Sequence, residues 1–201
     1  MTYRDFTLEK LQSDFGIKNR RIKLFYNIPA ILPSDVLSIS LGRNKKMPLR
    51  NEKSRSEWIV APILAELKEL NDDFFTVYSG DLLNVDKPRG LAGECDFMIA
   101  KNYNSYTLEA PILAVVEAKK ENFDLGTSQC AAQLIASRIF NKERNAETNI
   151  LYGCVTTADA WLFLKLEDEI LYIDTEFYYL NDLPQLLGVF QYVLNLYKDV
   201  I

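Results

Sequence analysis

No histidine occurs anywhere in the 201 residues. That single absence removes Ser-His and Cys-His nucleophilic mechanisms, histidine general bases and the usual histidine zinc sites. Cysteine is scarce as well. Cys95, Cys130 and Cys154 stand far apart, odd in number and without a CxxC spacing, each among apolar neighbours. They read as small buried thiols in a reducing compartment. Long apolar runs are missing: the stretch 111–116 (PILAVV) is far too short to span a bilayer. The opening MTYRDFTLEK is charged and lacks the apolar core of a secretory signal, so a cytoplasmic location without membrane contact is expected. Repeats, low-complexity tracts and Gly/Ser linkers are also lacking, which predicts one domain over 1–201. Any chemistry must therefore rest on carboxylates, lysine, hydroxyls or amides.

A basic excess is absent too. The net charge of −5 argues against a strong, unaided nucleic-acid binder. The charge is uneven, however. From Thr157 onward there are eight acidic and two basic residues, which leaves 1–156 close to neutral. Within that part, residues 43–55 (RNKKMPLRNEKSR) hold six basic residues against the single Glu52. The run reads either as a solvated loop or as a set of phosphate contacts.

Periodicity and punctuation predict the elements. Residues 3–12 suit a short helix with Thr7 as N-cap, and 35–41 another after the break at Pro29, Pro33 and Ser34. Ser54 or Ser56 caps a helix to about residue 70, with Pro62 awkward inside it. Strands follow at 74–78, ending in Ser79-Gly80-Asp81, then at 94–101, and, after a turn at 102–105, at 111–119. A helix spans about 127–140, a strand 149–155, and a hairpin 161–166 with 170–174. Asn181 or Asp182 caps the last helix, with Pro184 in its first turn.

The strand at 111–119 carries the chemistry. Its first part is apolar on both faces, as in a covered central strand, and charge then appears abruptly. Glu117 and Lys119, two apart, project from one face, with Val116 and Ala118 on the other. Such a pair at the end of a buried strand is costly unless paired or used. In the preceding strand Cys95, Phe97 and Ile99 share one face, and Glu94 and Asp96 the other. Antiparallel pairing would bring Asp96 beside Glu117. Two carboxylates and the Ala118 carbonyl would make a hard, oxygen-only site suited to Mg²⁺ or Mn²⁺. Lys119 would orient an attacking water or neutralise developing charge.

Asp96, twenty intervening residues and then Glu117-Ala118-Lys119 resembles the D…(D/E)xK signature of the PD-(D/E)XK nuclease superfamily. The segment 126–133 (GTSQCAAQ) is similar to the glutamine-bearing helix of its RecB-type and type I restriction branch. There the pattern is QxxxY; Gln129 matches the glutamine, and Gln133 replaces the tyrosine. Cys95 stands where the family name has proline. Over its full length the chain also resembles uncharacterised cyanobacterial proteins with the same EAKK and GxxQC segments.

The resemblance implies an α/β fold with a restriction-endonuclease-like αβββαβ core and a mixed central sheet over 54–156. An N-terminal helical extension and the basic loop would occupy 1–53, and a C-terminal hairpin and helix 157–201. It further implies Mg²⁺- or Mn²⁺-dependent hydrolysis of a nucleic-acid phosphodiester, DNA more readily than RNA. Asp96 and Glu117 would hold the metal with the Ala118 carbonyl, Glu57 a metal-bound water, and Gln129 the lysine or a phosphate.

Plainer readings stand beside these. Glu117 with Lys119 also suits a strand-end ion pair, Asp96 a solvated edge acid, and Glu57 a favourable charge in a first helical turn. Gln129 and Gln133 suit an exposed helical face, and Lys87, Arg89 and Lys120 ordinary surface. The aromatics 177–179 with Phe190, Tyr192 and Tyr197 suit core or a face shared with a second copy or a partner protein. A catalytically silent module that binds nucleic acid or protein is the alternative function.

Overall fold

The computed structural model describes residues 1–72, 74–101 and 105–198. Its elements are α1 (Leu8–Phe15), β1 (Lys18–Ile22), α2 (Asp35–Asn44), α3 (Glu52–Arg55), α4 (Ala61–Glu69), β2 (Thr76–Asp86), β3 (Leu91–Ala100), β4 (Ile112–Ala118), α5 (Phe123–Glu143), β5 (Ile150–Thr156), β6 (Ala160–Glu167), β7 (Ile170–Asp174), β8 (Tyr178–Tyr179) and α6 (Leu183–Lys198). The architecture is α/β. Seven strands run in the order β1-β7-β6-β5-β4-β3-β2, with β8 added beside β6. The sheet is mixed, because β1 lies parallel to β7 and β4 to β5, while the other neighbours are antiparallel.

Each face of the sheet buries one apolar cluster. Leu37, Ile63, Phe97, Val116, Phe163 and Phe190 join α2, α4 and α6 to one face. Leu11, Met98, Val115, Ala132, Leu162 and Ile173 join α1 and α5 to the other. Both faces of β4 are thereby covered, and all seven of its residues are buried, as its continuous apolar run requires. The three cysteines are free and buried. Among the described residues no helix is long and apolar enough to cross a membrane.

Several boundaries differ from the sequence expectation. The first core helix begins at Glu52, capped by Asn51, whose side chain accepts from the Ser54 N–H at 2.8 Å. Pro62 is accommodated by a π-helical turn, Ser56–Val60, before α4. Proline has no N–H to offer the Trp58 carbonyl, and Asn44 Nδ2 supplies a donor to it at 2.8 Å. β2 does not end near Gly80 but continues to Asp86, pairing with a β3 that begins at Leu91, so the two form a long hairpin. α5 starts four residues before Thr127, at Phe123, with Asn122 as its cap. The expected turn at 102–105 lies outside the described residues except for Ser105. β1 was not anticipated: all five of its residues are exposed, so it shows no apolar alternation.

The placement of α5 matters most. Asn141 accepts from the Ile112 N–H at 2.7 Å and donates to its carbonyl at 2.8 Å, fixing the helix to the start of β4. At the other end, a Cβ on Gly126 would lie 2.5 Å from Val155 Cγ1 and 2.9 Å from Lys119 Cγ, a separation only glycine permits. The helix therefore runs antiparallel to β4, with its N-terminal turns over the strand's charged end.

Candidate active site at the end of strand β4

The site begins with backbone. The Lys119 N–H donates to the Thr156 carbonyl at 2.7 Å, keeping the chain in line with β5 one residue beyond β4. Glu117 and Lys119 then share the face toward α5. Lys119 Nζ lies 2.6 Å from Glu117 Oε1, and Gln133 Nε2 donates to Glu117 Oε2 at 2.7 Å. Glu117 and Gln133 are wholly buried, and Lys119 is 7% exposed.

Asp96 arrives from β3. Phe97 pairs with Val116, so the next antiparallel position sets Asp96 beside Glu117. Its Oδ2 accepts from the Ala118 N–H at 2.8 Å, which aims the carboxylate across the strand gap. The simple face alternation expected around it does not hold. Cys95 packs with the α5-side cluster, whereas Phe97 and Ile99 pack on the opposite face. The ladder between β2 and β3 skips the Gly80–Asp96 pair, and Gly80 adopts φ 73°.

Charge within the site is unbalanced. Burial pushes the Glu117 carboxyl up to about 7, the Asp96 charge adds to the rise, and Lys119 and Gln133 oppose it. Burial likewise raises Asp96, against the pull of the Ala118 N–H and Lys119, while the Glu52 charge raises it further. Glu52 Oε1 is 4.0 Å from Lys119 Nζ. Three carboxylates thus face one ammonium in a largely desolvated corner.

Asp96, Glu117, Ala118 and Lys119 come together as neighbours. Glu57 does not join them; it is exposed and pairs with Lys53 at 3.7 Å. The acid that reaches the cluster from the first helix is Glu52, in α3. A signal for it existed, because Asn51 followed by Ser54 at N3 is a cap pattern that starts the helix earlier. Of the two glutamines, Gln133 bonds to Glu117. Gln129 is buried on the same helical face, between Gly126 and Gln133, one turn nearer Lys119. Their spacing alone could not decide between them, since both lie on one stripe.

The basic segment 43–55 is partly helical and mostly exposed. Arg55 is not free within it: its guanidinium donates to the Thr157 carbonyl and meets Asp159 at 3.3 Å, tying α3 to the β5–β6 turn. Arg89 pairs with Asp86. Phe190 and Tyr197 are core, whereas Tyr179 and Tyr192 are exposed and Phe177 is half-buried.

No family model and no curated protein matches the chain. The chemistry must be read from the site.

The donor set fits a hard divalent cation. Asp96 and Glu117 supply carboxylate oxygens, and the excess of negative charge would be relieved by a dication. Among the described residues no group of three or more His, Cys, Asp or Glu side chains converges in metal-binding geometry. Asp96 and Glu117 would be the cation's side-chain ligands, and water with the Ala118 carbonyl would complete the shell, as suits Mg²⁺ or Mn²⁺ better than Zn²⁺.

Proposed function

We propose that the end of β4 is a metal-dependent phosphodiesterase site acting on nucleic acid, DNA in preference to RNA, on a restriction-endonuclease-like core. The observation that carries this reading is the Asp96–Glu117–Lys119 cluster, two desolvated carboxylates and an ammonium on adjacent strands. The order of α3 with α4, then β2, β3, β4, α5 and β5, supports it. So does α5, which lies over the charged end of β4.

Asp96 and Glu117, with the Ala118 carbonyl, would hold Mg²⁺ or Mn²⁺. A cation held there would supply positive charge to the phosphodiester and acidify a water. Lys119 presents its ammonium where it can orient the attacking water or balance charge on the phosphorus-centred transition state. Gln133 holds the Glu117 carboxylate through Oε2 and so fixes its rotamer. Glu52, 4.0 Å from Lys119 Nζ, would take the place the resemblance gave to Glu57 and hold a metal-bound water. Gln129, buried one turn nearer Lys119 than Gln133, would restrain the lysine from there.

The second reading is a fold that binds nucleic acid or a partner protein without cutting, and the net charge of −5 favours its partner-protein form. Calorimetric titration with Mn²⁺ separates the two. The hydrolase has one cation site that Glu117→Gln removes. A binding module shows no saturable uptake, and that result would overturn the metal assignment.

A further inference from the structure

A cleft of about 620 Å³ opens beside the first turns of α5, on the same face of the sheet as Glu117 and Lys119. We propose that it receives one unpaired nucleobase of the strand whose phosphodiester lies at the β4 site, making single-stranded or splayed nucleic acid the preferred substrate. The inference rests on the phosphodiesterase reading for its connection to chemistry, and on the cleft itself for the base.

The position follows from strand register. Glu117 lies opposite Val155, and Val155 opposite Leu162, which lines the cleft. Two inter-strand spacings separate Glu117 from Leu162, roughly 10 Å. Gly126, against Lys119 Cγ, is followed directly by Thr127 and Ser128, which also line the cleft. The cleft thus touches α5 directly beyond the glycine that Lys119 packs against.

The lining matches a base and not a phosphate. Phe123 and Phe177, both half-buried, meet edge to face with centroids 5.0 Å apart, giving a flat ligand an aromatic wall. Leu162 and Ile173 form an apolar floor. Asn19 and Arg21, exposed on β1, bring an amide and a guanidinium to the rim, where they can bond to the edge of a base. Glu9 and Asp124 share that rim. Their charges outnumber Arg21, repel a phosphate and accept hydrogen bonds from ring or exocyclic N–H groups. A base within a duplex has its hydrogen-bonding edge turned to its partner strand, so only an unpaired base can enter.

The test is fluorescence anisotropy of a short labelled single-stranded DNA on the full chain, with Ca²⁺ replacing Mg²⁺ to suppress cleavage. The single strand should bind more tightly than the same sequence in a duplex. Phe177→Leu should weaken it about tenfold, one abasic residue should do the same, and the two losses together should not add. If Phe177→Leu lowers the melting temperature, Arg21→Ala on the exposed edge strand replaces it, with the same loss expected. Equal affinity for duplex and single strand, or full affinity in both variants, overturns the proposal. The same oligonucleotides are incubated in parallel with Mn²⁺. Base-dependent binding without cutting supports the cleft while refuting the phosphodiesterase reading. Cutting that neither variant alters refutes the cleft and leaves the phosphodiesterase reading standing.

Discussion

Replacing Asp96 by asparagine separates a metal site from a structural ion pair by the sign of its effect. Asparagine keeps an oxygen that can accept from the Ala118 N–H, the one hydrogen bond of 2.8 Å that Asp96 makes to backbone. It removes the negative charge that helps push Glu117 up to about 7. Without metal, Asp96→Asn should therefore melt at the parent's temperature or above it. The metal response should change in the other direction. A cation present at about one hundred times its dissociation constant stabilises the parent by roughly 2.7 kcal/mol, and the variant should lose this entirely. For a chain of this size that is a shift of about 5–10 °C. The assay is thermal unfolding followed by circular dichroism, with chelator and then with saturating Mn²⁺. If Asp96 instead serves to balance the Lys119 charge, its change should lower the metal-free melt, although Glu117 stays 2.6 Å from Lys119 Nζ and keeps the lysine paired. A large drop in the metal-free melt, with no Mn²⁺ effect in the parent, would falsify the site assignment.

Stability without metal should fall as pH rises. The folded-state values of Asp96 and Glu117 both lie above their unfolded ones, and for Glu117 the folded chain binds more protons between about 4.5 and 7. The Glu117 contribution is present below that window and lost above it, and saturating Mg²⁺ should flatten the decline measured by melts across the window. Gly126→Ala should destabilise by about 1–3 kcal/mol and displace Lys119, because its Cβ would fall 2.9 Å from Lys119 Cγ; an unchanged melting temperature would show that α5 sits farther from β4. Nucleic-acid binding should weaken steeply with salt through the exposed Lys45, Lys46 and Arg50. Removing all three should flatten the slope of log affinity against log salt by roughly two to three, and an unchanged slope would leave that segment to solvent.

The gathering of charge at the end of β4 was legible because burial and charge conflict there. An apolar run covered on both faces ends in Glu117 and Lys119, and few arrangements tolerate that. The faces around Asp96 were less legible. Alternation predicts Cys95 on the side of Phe97, but the ladder omits the pair at Gly80 and the cysteine packs toward α5. Which glutamine serves Glu117 depends on how far α5 slides along β4. That distance is set by the close approach at Gly126 and the Asn141 clamp, which are tertiary contacts with no local signature. Glu52 was hidden because a basic run reads as loop, although Asn51 and Ser54 carry a helix start within it. β1 was invisible for a different reason: an exposed edge strand of basic residues has neither alternation nor a buried face.

The most direct measurement is cleavage itself. The chain, its Glu117→Ala variant and its Lys119→Ala variant are incubated with Mn²⁺ on a panel of single-stranded, duplex and branched DNA and RNA. The parent should cut at least one DNA substrate, chelator should stop it, and both variants should be silent while melting as cooperatively as the parent. Cutting that survives Glu117→Ala, or no cutting of any substrate by a parent that binds Mn²⁺, would contradict a phosphodiesterase at the end of β4.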